Sequence, residues 1–155
     1  MKLKFLFICT FIFLLTSCNQ DKSKKTESPL AEKEVKEFTI SSRCYSYSMN
    51  KDTIYLKVTN LKDSLVEGNL TYNLFEKDRN QGNFEGKWHG DSLFADYEFE
   101  SEGKSSTREI FFLKTESGLI EGYGPLKDTL NKVIFQEHST LILNENILLK
   151  PVDCY

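Results

Sequence analysis

Arg108, Glu109 and Glu121 are the side chains of this 155-residue sequence with the most direct bearing on chemistry, since strand parity decides whether each meets a cavity or water. From Arg108 to Lys114 the string REIFFLK carries apolar residues on both parities. Either Ile110 and Phe112 or Phe111 and Leu113 point inward, and Arg108 follows the first set. An inward Arg108 opposite Glu121 forms a buried pair able to hold a polar ligand, and Glu109 or Glu121 in a cleft has the chemistry of a general base. On the other parity the same charges sit in water or simply pair. Aromatic residues, among them Tyr45, Tyr47, Tyr72, Phe84, Trp88, Tyr97, Phe99 and Phe112, either line an apolar pocket or fill a core. The candidate ligand-facing set is Tyr72, Trp88, Tyr97, Phe99, Arg108 and Glu121.

The elements that position these residues are strands. From Phe38 onward apolar and polar residues alternate: Ile54, Leu56 and Val58; then Val66, Gly68, Leu70, Tyr72 and Leu74; then Phe84, Gly86 and Trp88; then Leu93, Ala95, Tyr97 and Phe99. One face is buried throughout. Short links rich in Gly, Asn, Asp and Ser separate the runs, as hairpins require, and leave no room for parallel crossovers. The expected fold is all-β, an antiparallel up-and-down meander of about eight strands that closes into a small barrel and so removes exposed edges. These strands end near Lys132 to Gln136, with a further extended piece around Leu141 to Leu149. Gly122 to Pro125 ends a strand and starts a longer connection, Leu126 to Asn131. In layout the domain resembles the lipocalin-like barrels, whereas a two-sheet sandwich satisfies the same alternation.

The first residues place Lys2 and Lys4 before an apolar run of 11 residues, Phe5 to Leu15, too short for the roughly 20 that a membrane-crossing helix needs. This is the pattern of a secretion signal. Leu15-Thr16-Ser17-Cys18 resembles the lipobox of the bacterial lipoprotein family, which implies acylation of Cys18 with lipid chains such as palmitate and cleavage just before it. Acyl chains then anchor the protein, at about 0.8 kcal/mol per buried methylene. Asn19, where family members retained in the inner membrane commonly have Asp, implies an outer-membrane destination, and a tether without an acidic stretch favours the periplasmic face. The expected organisation is a signal peptide over 1–17, a lipidated cysteine with a flexible polar tether over 18–37, and a barrel domain over 38–155.

With Cys9 removed and Cys18 acylated, Cys44 and Cys154 remain, and outside the cytoplasm such a pair oxidises. The first and last strands of an up-and-down barrel are neighbours, so a Cys44–Cys154 disulfide ties the seam. The alternative, a metal or redox site, lacks a Cys-x-x-Cys and any suitably spaced His, so neither metal nor cofactor is expected.

Gly90-Asp91-Ser92-Leu93 resembles the signature of the GDSL esterase family, which implies Ser92 as nucleophile. That family draws its base from a late Asp-x-x-His, and neither His89 nor His138 has an Asp three residues earlier. A Gly-Asp hairpin turn is the expected reading, and no catalytic residue is assigned. Asp followed by Ser or Thr and an aliphatic residue occurs at Thr53, Ser64, Ser92 and Thr129. The triplet suits a turn that leads into a strand, and is similar to the acceptor of an O-glycosylation system that modifies exported proteins in some Gram-negative bacteria.

Net charge is −3, with 20 basic against 23 acidic side chains, and loss of Lys2 and Lys4 makes the mature chain more acidic. Nucleic acid is therefore not an expected partner. The expected function is a non-enzymatic binding or interaction barrel of the cell envelope, lipid-anchored to the membrane, that engages a small apolar ligand or an envelope protein. Two alternatives stand beside it: an enzyme with an unfamiliar carboxylate site, and an inhibitor of a secreted enzyme such as lysozyme. Small lipoproteins that block lysozyme are also barrels stapled by cysteines near both ends; of their Ser-Gly-x-x-Tyr loop this sequence has only Ser117-Gly118, with Gly122 before Tyr123.

Overall fold

A computed structural model describes residues 38–155; the expected signal peptide over 1–17, Cys18 and the expected tether over 18–37 lie outside the described residues. Ten strands follow in order: β1 (Ser41–Met49), β2 (Asp52–Asn60), β3 (Leu65–Asn73), β4 (Asn80–His89), β5 (Ser92–Ser101), β6 (Lys104–Lys114), β7 (Leu119–Tyr123), β8 (Leu126–Asp128), β9 (Val133–Phe135) and β10 (Ile142–Val152). Each of β1 to β6 pairs antiparallel with the next, and β10 pairs with both β7 and β1. The ring is thus a closed, eight-stranded, antiparallel barrel in meander order.

The period-two pattern sets this register. In β2, Ile54, Leu56 and Val58 are buried, and across the ladder they meet Tyr72, Leu70 and Gly68 of β3. A one-residue slip would turn these side chains to the solvent, so the alternation fixes the pairing. The lumen is filled through its middle by one cluster containing Leu56, Leu70, Phe84, Leu93, Tyr97, Ile110, Phe112, Leu119 and Leu149. Gly68 does not leave space there: a Cβ on it would fall 2.5 Å from Phe84 Cζ, so the glycine accommodates the phenyl ring.

The expected eighth strand near Lys132 to Gln136 is not part of the ring. Val133–Phe135 instead pairs with β8 in a hairpin, and a single parallel bridge, Arg108 to Val133, joins this hairpin to β6. The reason is the length of β7, which has only five residues and pairs with β6 over Phe111 to Lys114. The upper half of β6 would otherwise be an open edge, and the hairpin covers it. The eighth ring position belongs to β10, longer than the Leu141 to Leu149 piece expected there.

The hairpin also explains REIFFLK. Ile110 and Phe112 face the lumen and are buried, while Phe111, on the opposite face, is only 8% exposed. Phe94 packs on Phe111 with ring centroids 4.7 Å apart, and His138 stacks on Phe94 at 4.4 Å. Polar contacts hold the hairpin and the segment after it: Lys132 pairs with Asp96 at 2.6 Å, and Glu109 accepts the Phe135 N–H at 2.9 Å and contacts His138 Nε2 at 3.0 Å.

Cys44 and Cys154 form a disulfide with Cα atoms 5.2 Å apart, at the β1–β10 seam. The Tyr55 hydroxyl donates to Cys44 Sγ at 3.0 Å, and the Tyr155 ring lies 4.6 Å from that of Tyr55.

Candidate functional site

Strand directions give the barrel two distinct ends. At one lie the chain's passage into β1, the β2–β3, β4–β5 and β6–β7 turns, and the end of β10. At the other lie the β1–β2, β3–β4 and β5–β6 connections, and here a recess of about 380 Å³ opens, within the range of roughly 300–1,000 Å³ for small-molecule sites. Ile54, Leu74 and Ile147 give it apolar walls, Tyr72 and Tyr123 aromatic ones, and Lys77 and Asp78 lie at its rim beside Asn80 and Ser101. Arg108 reaches it from β6.

The Arg108 guanidinium lies over three rings, with its central carbon 5.3 Å from the centroid of Tyr72, 5.4 Å from that of Phe99 and 5.8 Å from that of Tyr97. Such stacking holds the cation through the ring quadrupoles and uses none of its donors. Its Nε is buried and has no hydrogen-bond partner among the described residues. A buried donor left so costs about 1–3 kcal/mol, which makes it an exception in a folded chain.

Glu121 is 3% exposed and lies behind the recess. Its two carboxylate oxygens accept the hydroxyls of Tyr72 and Tyr123, each at 2.6 Å. Burial lifts its carboxyl above the usual range, while the two tyrosine hydrogen bonds and the charge of Arg108 act in the opposite direction. Burial first, then the Glu121 charge, likewise raises the phenol of Tyr72 well above its ordinary value and raises that of Tyr123. Tyr97 is raised chiefly by burial, and its hydroxyl donates to the Leu70 carbonyl at 2.8 Å.

The structure thus brings together five of the six expected ligand-facing residues. Tyr72 and Arg108 line the recess, Tyr97 and Phe99 lie beneath the guanidinium, and Glu121 stands behind Tyr72. Trp88 does not join them. It sits at the far end in a separate pocket of about 150 Å³ with Arg43 and Lys114, and its indole N–H donates to Asn60 at 3.1 Å. Tyr123, Ile54, Leu74 and Ile147 were not among the residues expected to face a ligand; the Glu-x-Tyr spacing of Glu121 and Tyr123, which puts both on one strand face, was the available signal for Tyr123.

The other candidate residues are dispersed. Ser92 is opposite His89 in the β4–β5 ladder, yet no hydrogen bond joins their side chains, and Gly90 with Asp91 forms the turn. Thr53 and Ser64 are exposed, Ser92 is half-buried, and the Thr129 hydroxyl donates to the Lys132 carbonyl at 2.6 Å. The triplets do lead into core residues at Ile54 and Leu93, but Leu65 and Leu130 are exposed. Ser117-Gly118 lies in the β6–β7 turn at the end opposite Tyr123. Glu109, on the outer wall, is occupied by the Phe135 amide and His138. No group of three or more His, Cys, Asp or Glu among the described residues is placed to hold a metal. Grooves of about 620 and 890 Å³ lie on the outer wall among outward-pointing residues such as Glu67, Glu85, Asn83 and Glu98, and a more open one of about 560 Å³ lies beside Tyr123, Pro125 and Ile142.

Fold and site together define a closed antiparallel barrel with a filled middle and a charged recess at one end. Neither protein-family profiles, curated proteins nor solved structures give a match to this chain.

Proposed function

We propose that this protein is a lipoprotein of the cell envelope, anchored through acylated Cys18 at the outer membrane and facing the periplasm, whose barrel binds a small molecule in its end recess without transforming it. The observation that carries the binding role is Arg108, a cation whose buried Nε has no partner beside an otherwise well-bonded site. Glu121 supports a binding rather than a catalytic reading, because both its oxygens are engaged by tyrosines and it stands behind the recess wall. The anchor itself rests on the lipobox resemblance of Leu15 to Cys18.

The test is native mass spectrometry of the protein taken gently from its own membranes, followed by denaturation. A non-covalent mass lost on denaturation is the expected result, together with a covalent mass increment of acyl chains on the amino-terminal cysteine. A bare barrel would refute the binding role, and a chain without acyl groups would refute the anchor.

A further inference from the structure

We propose that the recess selects an organic anion, a carboxylate on a compact apolar body, with the Arg108 guanidinium as its grip. The inference rests on the binding reading above and adds the chemical class of the ligand.

A guanidinium offers five N–H donors in a planar fork whose geometry matches a carboxylate. In this barrel the fork is fixed by three aromatic rings, while no hydrogen bond or ion pair within the described residues uses it. The nearby acid does not fill that role. Glu121 is close enough for its charge and that of Arg108 to affect each other, yet its two oxygens are taken by the hydroxyls of Tyr72 and Tyr123. Glu121 therefore balances the cation from behind and leaves the fork free. Lys77 adds a second positive charge at the rim, offset by Asp78.

The remaining walls specify the rest of the molecule. Ile54, Leu74 and Ile147 offer aliphatic contact, and the rings of Tyr72 and Tyr123 flat faces, in about 380 Å³. A cation would meet Arg108 head-on, and a neutral acceptor would take a hydrogen bond from the fork without answering its charge. A carboxylate matches the fork with two oxygens and answers the charge, and its charge-assisted contact is strengthened by the partly desolvated floor.

The experiment is calorimetric titration of the cell-processed chain in lipid nanodiscs, against empty nanodiscs, with phenylbutyrate, phenylbutanol and phenylbutylamine. The acid is expected to bind about tenfold or more tightly than the alcohol, the difference one charge-assisted hydrogen bond supplies, and the amine most weakly. Arg108→Met should bring the acid to the level of the alcohol, and Arg108→Lys should keep part of the preference. Equal binding of acid and alcohol, or a preference for the acid that survives Arg108→Met, overturns the anion assignment and leaves the binding reading standing. If none of the probes binds, the mass released from the native protein decides. An acid supports the assignment, a neutral or basic molecule overturns it, and no released mass removes the binding reading as well.

Discussion

Replacing Cys44 and Cys154 by serine should destabilise the barrel more than removing any single hydrogen-bonded pair in it. The seam that the disulfide ties is a short one: β1 meets β10 at three positions, Cys44 to Val152, Tyr45 to Pro151 and Ser46 to Lys150, whereas β1 and β2 pair along all nine residues of β1. Pro151 also has no N–H to give to the ladder. The bridged cysteines are 110 residues apart, and the loop-closure entropy returned to the unfolded chain on cutting the bridge amounts to about 4–5 kcal/mol. For a domain of this length that corresponds to a fall in Tm of roughly 15–25 °C. Urea unfolding of the double serine variant against the oxidised parent measures the difference. The m-value should rise as well, because an uncrosslinked chain exposes more surface. Hydrogen exchange should show amides of β1 and β10 losing protection before those of β3 to β5. A loss below about 1 kcal/mol would refute the reasoning, since the seam would then hold by its ladder alone.

Three further outcomes follow from the recess and the core. Arg108→Met should leave stability within about 1 kcal/mol of the parent or raise it, because the lost stacking is offset by removal of an unsatisfied buried donor; a loss above about 2 kcal/mol by thermal unfolding would make Arg108 a structural residue. Burial raises the carboxyl of Glu121, so the native state holds its proton more tightly than the unfolded chain; stability should fall as pH rises from the ordinary carboxylate range through the raised value and then level off. Glu121→Gln should flatten that slope, and parallel stability–pH curves for the two proteins would exclude Glu121 as its source. Gly68→Val should cost at least about 1–3 kcal/mol, because a Cβ there meets the Lys57 backbone carbonyl as well as the Phe84 ring, and an unchanged midpoint in urea would mean that strand and ring both have room to move.

What was legible in the sequence was whatever strand parity encodes. From Ile54 to Phe99 the period of two placed nearly every core residue, and the seam disulfide followed once the order of strands was a meander. REIFFLK could not be read because a second layer covers its outer face: Phe111 is buried by Phe94 and the segment around His138, so apolar residues are wanted on both parities. Trp88 shows another limit. Parity assigns a side chain to the lumen but not to a height along the barrel axis, which is set by the stagger of neighbouring strands. Trp88 and Arg108 both point inward and lie at opposite ends. The short β8 and β9, of three residues each, carry too little pattern to be distinguished from a loop or a ring strand.

The closing pair of the ring, β1 and β10, comes from the two extremes of the barrel sequence, and this bears on how the chain reaches its native state. Hairpins from β1 to β7 can form locally within microseconds, but closure waits for the last strand to be delivered. Until then both terminal edges stand open as templates for pairing with other chains. The slow and vulnerable interval is therefore the one just before completion, and an early stop anywhere ahead of Ile142 would leave a sheet that cannot close, more apt to aggregate than to fold in part.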